Sequence, residues 1–294
     1  MKETKIIIYK ALMIKIFPFI FVLLWSSAFI TTKPIIDNSD PFSALAFRFG
    51  LVAFGFFLFS LYSKEKILVN KRNFFESFFS GVLFHGFYLG GVFYSISIGM
   101  PTGIAALIVT LQPILTNALS GPILNEKVST RQWVGVLLGF VGAALVLGFD
   151  IGTKIPVAGL VATILALLAI TFSTLWQKKL SSNLPLSVSN TYQALGGCVF
   201  HLLIIILFVD PFIDFTKTFI IAMSHQIFLV SFGAFTILMY LIKNNSASKT
   251  VSIFFLIPAT SAFMAWLFLN ENLTNLDLIG FLITSIGVYI ATRD

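Results

Sequence analysis

Gln112-Pro113-Ile114-Leu115, running on to Leu124-Asn125-Glu126, and Ile257-Pro258-Ala259-Thr260, running on to Leu269-Asn270-Glu271, are two copies of one pattern. In each copy a proline inside an apolar run is followed 13 residues later by the glutamate of a Leu-Asn-Glu triplet. The copies lie 145 residues apart, and at that shift Gly135 also meets Gly280, Gly142 meets Gly287 and Lys33 meets Lys178. Several identities at one offset, with their order kept, are hard to obtain from composition alone, so the chain reads as a duplicated unit.

What is duplicated follows from hydropathy. Of 294 residues, 57% are hydrophobic and 11% charged, with a mean hydropathy of +0.97, against roughly 45–50% and ~25% in soluble domains. A water-soluble globular protein is excluded. A membrane-spanning helix takes about 20 residues, and apolar segments of that length lie near 16–36, 42–62, 74–97, 102–124 and 131–149, then near 156–177, 186–209, 219–242, 248–269 and 275–292. We number these spans 1 to 10. Turn signals such as Asp37-Asn38-Ser39-Asp40-Pro41, Gly99-Met100-Pro101 and Asp210-Pro211 separate them. Unpaired backbone is costly in hydrocarbon, so the spans are helices, and nothing alternates as barrel strands do. Each copy holds five spans, and because five is odd the second enters the membrane from the opposite side. The expected fold is an all-α integral membrane protein of ten transmembrane helices built from two inverted five-helix repeats. Its parts are an N-terminal segment, 1–15, a first repeat, 16–149, and a second, 156–292. Inverted repeats are a recurring architecture of secondary transporters.

With the N-terminus inside, fifteen Lys and Arg residues fall on the cytoplasmic side, against Lys33, Lys154 and Lys217 outside. That bias sets both termini in the cytoplasm by the positive-inside rule. It also accounts for the net charge of +7, so nucleic acid is not an expected partner. The basic N-terminus resembles a signal peptide, yet no small-residue cleavage site follows a short apolar core, and it is read as retained. A single Cys198 excludes an intrachain disulfide, and no Cys/His spacing fits a metal, so neither metal nor cofactor is expected. No phosphate-binding loop is present, so any driving energy comes from a gradient.

Leu24-Trp25-Ser26-Ser27-Ala28-Phe29 on span 1, Pro41 with Arg48 on span 2, Leu111-Gln112-Pro113 leading to Leu124-Asn125-Glu126-Lys127, and Ile257-Pro258 leading to Leu269-Asn270-Glu271 together resemble the drug/metabolite transporter superfamily, and within it the EamA family of ten-helix carriers. The resemblance runs over essentially the whole chain. It implies a carrier in the bacterial inner membrane with both termini inside, a central cavity lined by spans 1, 3, 4, 6, 8 and 9, and spans 5 and 10 packed peripherally. It also implies export of amino acids or related metabolites, hydrophobic compounds included.

Individual residues carry two readings each. Arg48 lies inside span 2, where a central Arg costs roughly 2.5–3.5 kcal/mol unless it finds a partner; it attracts an anionic substrate group or it bonds helix-end carbonyls. Gln193 stands at its place in the second copy. Pro113 and Pro258 each remove a backbone donor, free the carbonyls of Val109 and Phe254, and kink spans 4 and 9, either for gating or as packing geometry. Gln112 adds an amide beside the first kink. Glu126 and Glu271 precede a new helix, and complementing its positive N-terminal end is the structural alternative to carrying protons. Lys33 and Lys178 at span ends read as snorkelling anchors. His85, near the middle of span 3, is a candidate for proton coupling, for a substrate hydrogen bond, or for packing; His201 and His225 lie nearer span ends. Trp25, Phe29, Tyr88, Tyr94, Trp176 and Tyr240 are the aromatic cavity candidates, able to offer a ring face and, for Trp and Tyr, one donor. Gly86 with Gly90, and Gly135 with Gly139, have the spacing that lets helices approach closely within the bundle or between protomers, so monomer and homodimer both stand open.

The expected function is secondary transport of a small organic molecule by alternating access, with membrane lipids as surroundings. The alternatives are a lipid translocase or a nontransporting membrane partner. An intramembrane enzyme would need a buried nucleophile and base or a metal motif, and no such constellation is found.

Overall fold

The computed structural model describes residues 2–147, 155–180, 184–269 and 274–293, with side chains from residue 16 onward except at 102, 265, 268 and 269. Among the described residues, ten helices are long and apolar enough to cross a membrane. They are Ile16–Ile36, Pro41–Tyr62, Lys71–Ser97, Gly103–Leu124, Thr130–Leu147, Val157–Leu180, Leu186–Phe208, Lys217–Asn244, Ala247–Met264 and Asn275–Thr292. Their order matches spans 1 to 10. The face at which span 1 enters is called the first face below, and the opposite one the second.

Local sequence sets several starts. Asp40 accepts the backbone N–H of Phe42 (2.9 Å) and Ser43 (3.0 Å) ahead of Pro41, whose missing donor costs nothing at a first helical position. Asn70 and Thr216 cap spans 3 and 8 in the same way, and Thr274 with Asp277 forms a capping box on span 10. On the second face the chain between spans 1 and 2 pairs with that between spans 7 and 8, through an isolated bridge of Ser39 with Ile213 and a bond from Asp214 N to the Asn38 carbonyl (2.8 Å).

The duplication is visible in the irregularities. Span 3 widens into a π-helix at Val82–Leu89 and span 8 at Gln226–Ala234; a shift of 145 superposes them almost residue for residue. Span 4 breaks between Val109 and Gln112, and span 9 tightens into a 3-10 turn at Ile253–Phe255. The sequence predicts a kink within a continuous helix. Span 4 is interrupted at Thr110 and Leu111, both still in right-handed helical geometry, just before Pro113, which stands in the first turn of the segment that follows, where it needs no partner.

Spans 5 and 10 pack on each other through equivalent glycines. A Cβ at Gly135 would meet the backbone of Gly287 and Ala291, and one at Gly142 the backbone of Gly280. The Gly135 spacing is therefore a contact within the chain. Gly86 and Gly90 also pack within the chain, against the Phe200 and His201 side chains of span 7, while the backbones of spans 3 and 7 meet at Gly81 and Gly196. Rings do not fit under a backbone crossing, so the tight approach falls one turn earlier. Phe54, Leu207 and Phe228 are among the large apolar side chains left on the outside, as a lipid-facing surface requires.

Candidate functional site

Side chains from spans 1, 3, 6, 8 and 9 meet in the middle of the bundle. Phe21, Trp25, Phe84, Tyr88, Ile170, Phe235 and Phe254 are buried in one cluster, with ring centroids of Trp25 and Phe84 6.1 Å apart and of Phe21 and Phe254 5.1 Å apart. Spans 1 and 9 are joined directly across it, Ser26 Oγ donating to the Ile257 carbonyl (3.3 Å) and Ser261 Oγ to the Ser26 carbonyl (3.2 Å). The carbonyl reached is the one beside Pro258.

Polar layers flank this aromatic middle. Towards the second face, Arg48 is 4% exposed and donates from Nε to Ser231 Oγ at 2.9 Å, with its guanidinium carbon 5.2 Å from the centre of the Phe49 ring. Both ion pairs among the described residues lie elsewhere, so no carboxylate meets this cation there. Ser231 sits in the π-helical turn of span 8. Beside it, Gln226 Nε2 donates to Thr31 Oγ1 (2.9 Å) and the Ala28 carbonyl (3.0 Å), and His225 Nε2 lies 3.1 Å from Ser27 Oγ. Towards the first face the equivalent layer is neutral. Gln177 Nε2 donates to Gln193 Oε1 (2.8 Å), and Ser173 Oγ to the Ser80 carbonyl (3.0 Å). Gln193 occupies the place of Arg48, so the charge is present in one layer only.

His85 is buried between Phe49 (4.3 Å between centroids) and Phe235 (4.6 Å), and its Nδ1 has no hydrogen-bond partner among the described residues. His201, from span 7, bonds the His85 carbonyl through Nε2 at 2.9 Å. Gln112 joins spans 4 and 6 by donating to Thr174 Oγ1 at 3.1 Å.

The structure brings Trp25, Tyr88, Arg48 and His85 to the centre. It places other candidates elsewhere: Trp176 is 40% exposed, on the outward face of span 6, and Phe29, 37% exposed, lies on the same face of span 1 as Phe21 and Trp25, two turns beyond Phe21 towards the second face. Tyr94 packs on Phe42 at the second-face end of span 3. Tyr240 lies near the first face against Phe17, its hydroxyl buried without a partner among the described residues. Glu126 does not serve the helix that follows it in sequence. Its Oε1 accepts the Ala247 N–H (3.0 Å) and its Oε2 the Ser248 N–H (3.4 Å), at the start of span 9; the following helix is capped by Ser129 and Gln132 instead. Glu271 lies outside the described residues. Sequence alone does not single out Ser231, Gln226 or Gln177, although for the two glutamines an uncharged amide inside a long apolar run is itself a signal, because burying it demands a partner.

The profile of the EamA-like transporter family matches this chain twice, at residues 12–148 and 157–293. A Bacillus subtilis (strain 168) protein named as the uncharacterized transporter YvbV is 31% identical over 212 residues, 68% of this chain and 65% of that protein. Proteins named as probable amino-acid metabolite efflux pumps are 23% identical in Salmonella typhimurium, over 92% of this chain and 91% of that one, and 23% in Escherichia coli (strain K12), over the same shares. A solved crystal structure superposes with a TM-score of 0.81 over 95% of this chain and 97% of that one at 17% identity, a likeness of fold. With ten spans, a duplicated half and a profile that matches both halves, the chain belongs to the EamA-like transporter family of the drug/metabolite transporter superfamily.

Proposed function

We propose that this membrane transporter exports a small amphipathic organic anion or zwitterion of amino-acid type across the bacterial inner membrane by alternating access, with both termini cytoplasmic. The single observation that carries the substrate reading is Arg48. A buried guanidinium, hydrogen-bonded by Nε to Ser231 and facing no carboxylate among the described residues, has capacity left for an anionic group, which it can meet through its remaining donors. The Phe49 ring beside it, on which His85 and then Phe235 pack in turn, fits the apolar part of such a solute. The relatives named as amino-acid metabolite efflux pumps favour the same class and the same direction. The excess of Lys and Arg on the first face supports its being cytoplasmic.

No Asp or Glu lies in the middle of a span, which favours facilitated movement over a carboxylate proton relay. The reading is tested with proteoliposomes loaded with amino acids together with their carboxamide counterparts. The acids are expected to leave faster through the protein and the amides at the protein-free rate. Equal loss of both forms removes the carboxylate from recognition.

A further inference from the structure

We infer that Lys178 and Lys33 are positioning residues of the transport cycle, each locking one end of the bundle in turn. The inference rests on the alternating-access reading above. Lys178, at the end of span 6, donates from Nζ to the carbonyls of Ile242 (2.9 Å), Asn245 (2.6 Å) and Lys243 (3.5 Å). These carbonyls close span 8, at the helix end where such groups lack intrahelical partners and negative partial charge collects. Two residues beyond Asn245, Glu126 holds the first N–H groups of span 9. A cation and a carboxylate, both from the first face, thereby clasp the two sides of the hairpin between spans 8 and 9.

At a shift of 145, Lys178 becomes Lys33, and the three carbonyls become those of Ser97, Ile98 and Met100 at the end of span 3. Span 1 packs beside that last segment of span 3, so Lys33 stands on the neighbouring helix just as Lys178 does. Yet Lys33 pairs with Asp37 at 3.1 Å, its side chain 81% exposed. Among the described residues no hydrogen bond reaches the carbonyls of Ser97, Ile98 or Met100. An exposed pair of this kind is weak and easily given up. Two equivalent lysines thus stand in opposite states, one clasped and one released. That is the asymmetry an inverted repeat shows at any moment when its halves exchange conformations. In the opposite state Lys33 clasps the hairpin between spans 3 and 4, and Lys178 lets go.

The test is a pair of spin-label distances in a Cys198→Ala background: Glu65 to Asn244 across the first face, and Ser97 to Asp214 across the second. Lys178→Met is expected to raise the population with a wide first-face distance about tenfold, the loss of a few charge-assisted bonds. Lys33→Met depletes the population with a narrow second-face distance by a similar factor, and Lys178→Arg stays close to the parent. If Lys178→Met yields no folded protein, Lys33→Met decides alone. Shifts of both variants in the same direction, or an unchanged second-face distribution in Lys33→Met, overturn the inference. No substrate is needed for this readout, so an error in the substrate class leaves it standing, and its failure leaves the substrate reading untouched.

Discussion

At the scale of the residue, the proposed substrate class turns on Arg48. Replacing it by Gln keeps a donor for Ser231 but removes the charge, so efflux of a carboxylate substrate is expected to fall at least about tenfold, while the folded yield after size exclusion stays that of the parent. Loss of yield instead assigns Arg48 to holding spans 2 and 8 together. His85 presses against Phe49 and Phe235, and among the described residues no carboxylate pairs with it. Flux is therefore expected to be as dependent on pH in His85→Phe as in the parent across about pH 6–8, the range in which free imidazole titrates; a pH dependence that vanishes with the substitution makes His85 the coupling group. Arg48 and His85 were legible from sequence because a charge or an imidazole inside an apolar run is conspicuous. Ser231 was not, since a serine is common in spans and only the fold shows which one faces the guanidinium. Glu126 was legible as a helix cap but not as the cap of span 9, because a carboxylate's partner across 121 residues of chain leaves no trace in local sequence.

At the scale of the element, the spans themselves were read to within a few residues, since apolar length alone defines them in a bilayer. The π-helical turns of spans 3 and 8 and the break in span 4 were not, because a widened or interrupted turn is a response to tertiary packing and has no residue signature of its own. The prolines marked the right neighbourhood. Pro258 lies beside the carbonyl that accepts from Ser26, and Pro258→Ala, by restoring an N–H, is expected to leave thermal stability within a few degrees of the parent and slow transport several-fold; unaltered flux reduces this proline to packing geometry. The glycine face between spans 5 and 10 gives a sharper stability test. Gly142→Val forces side-chain atoms into the backbone of Gly280, and overpacking of this order costs about 1–3 kcal/mol. A lowered midpoint in detergent is expected, and an unchanged midpoint means that the two helices are not held against each other as described.

At the scale of the whole molecule, two five-helix halves of opposite orientation enclose an aromatic middle with one charged and one neutral polar layer. The duplication was legible from Pro113, Glu126 and their counterparts, and the structure extends it to paired π turns and paired helix breaks. The proposed function rests on the symmetry together with its defects: two equivalent halves are what alternating access requires, and Arg48 opposite Gln193 is the asymmetry on which the substrate proposal turns. The central claim is that a small organic solute crosses through this bundle. Its most direct test is to load proteoliposomes with a complex metabolite extract and identify by mass spectrometry what leaves faster than from protein-free vesicles. The account predicts selective loss of a few amphipathic carboxylates and no loss of the bulk of the extract. No selective loss, with or without a proton gradient of either sign, contradicts it and moves the molecule towards lipid translocation.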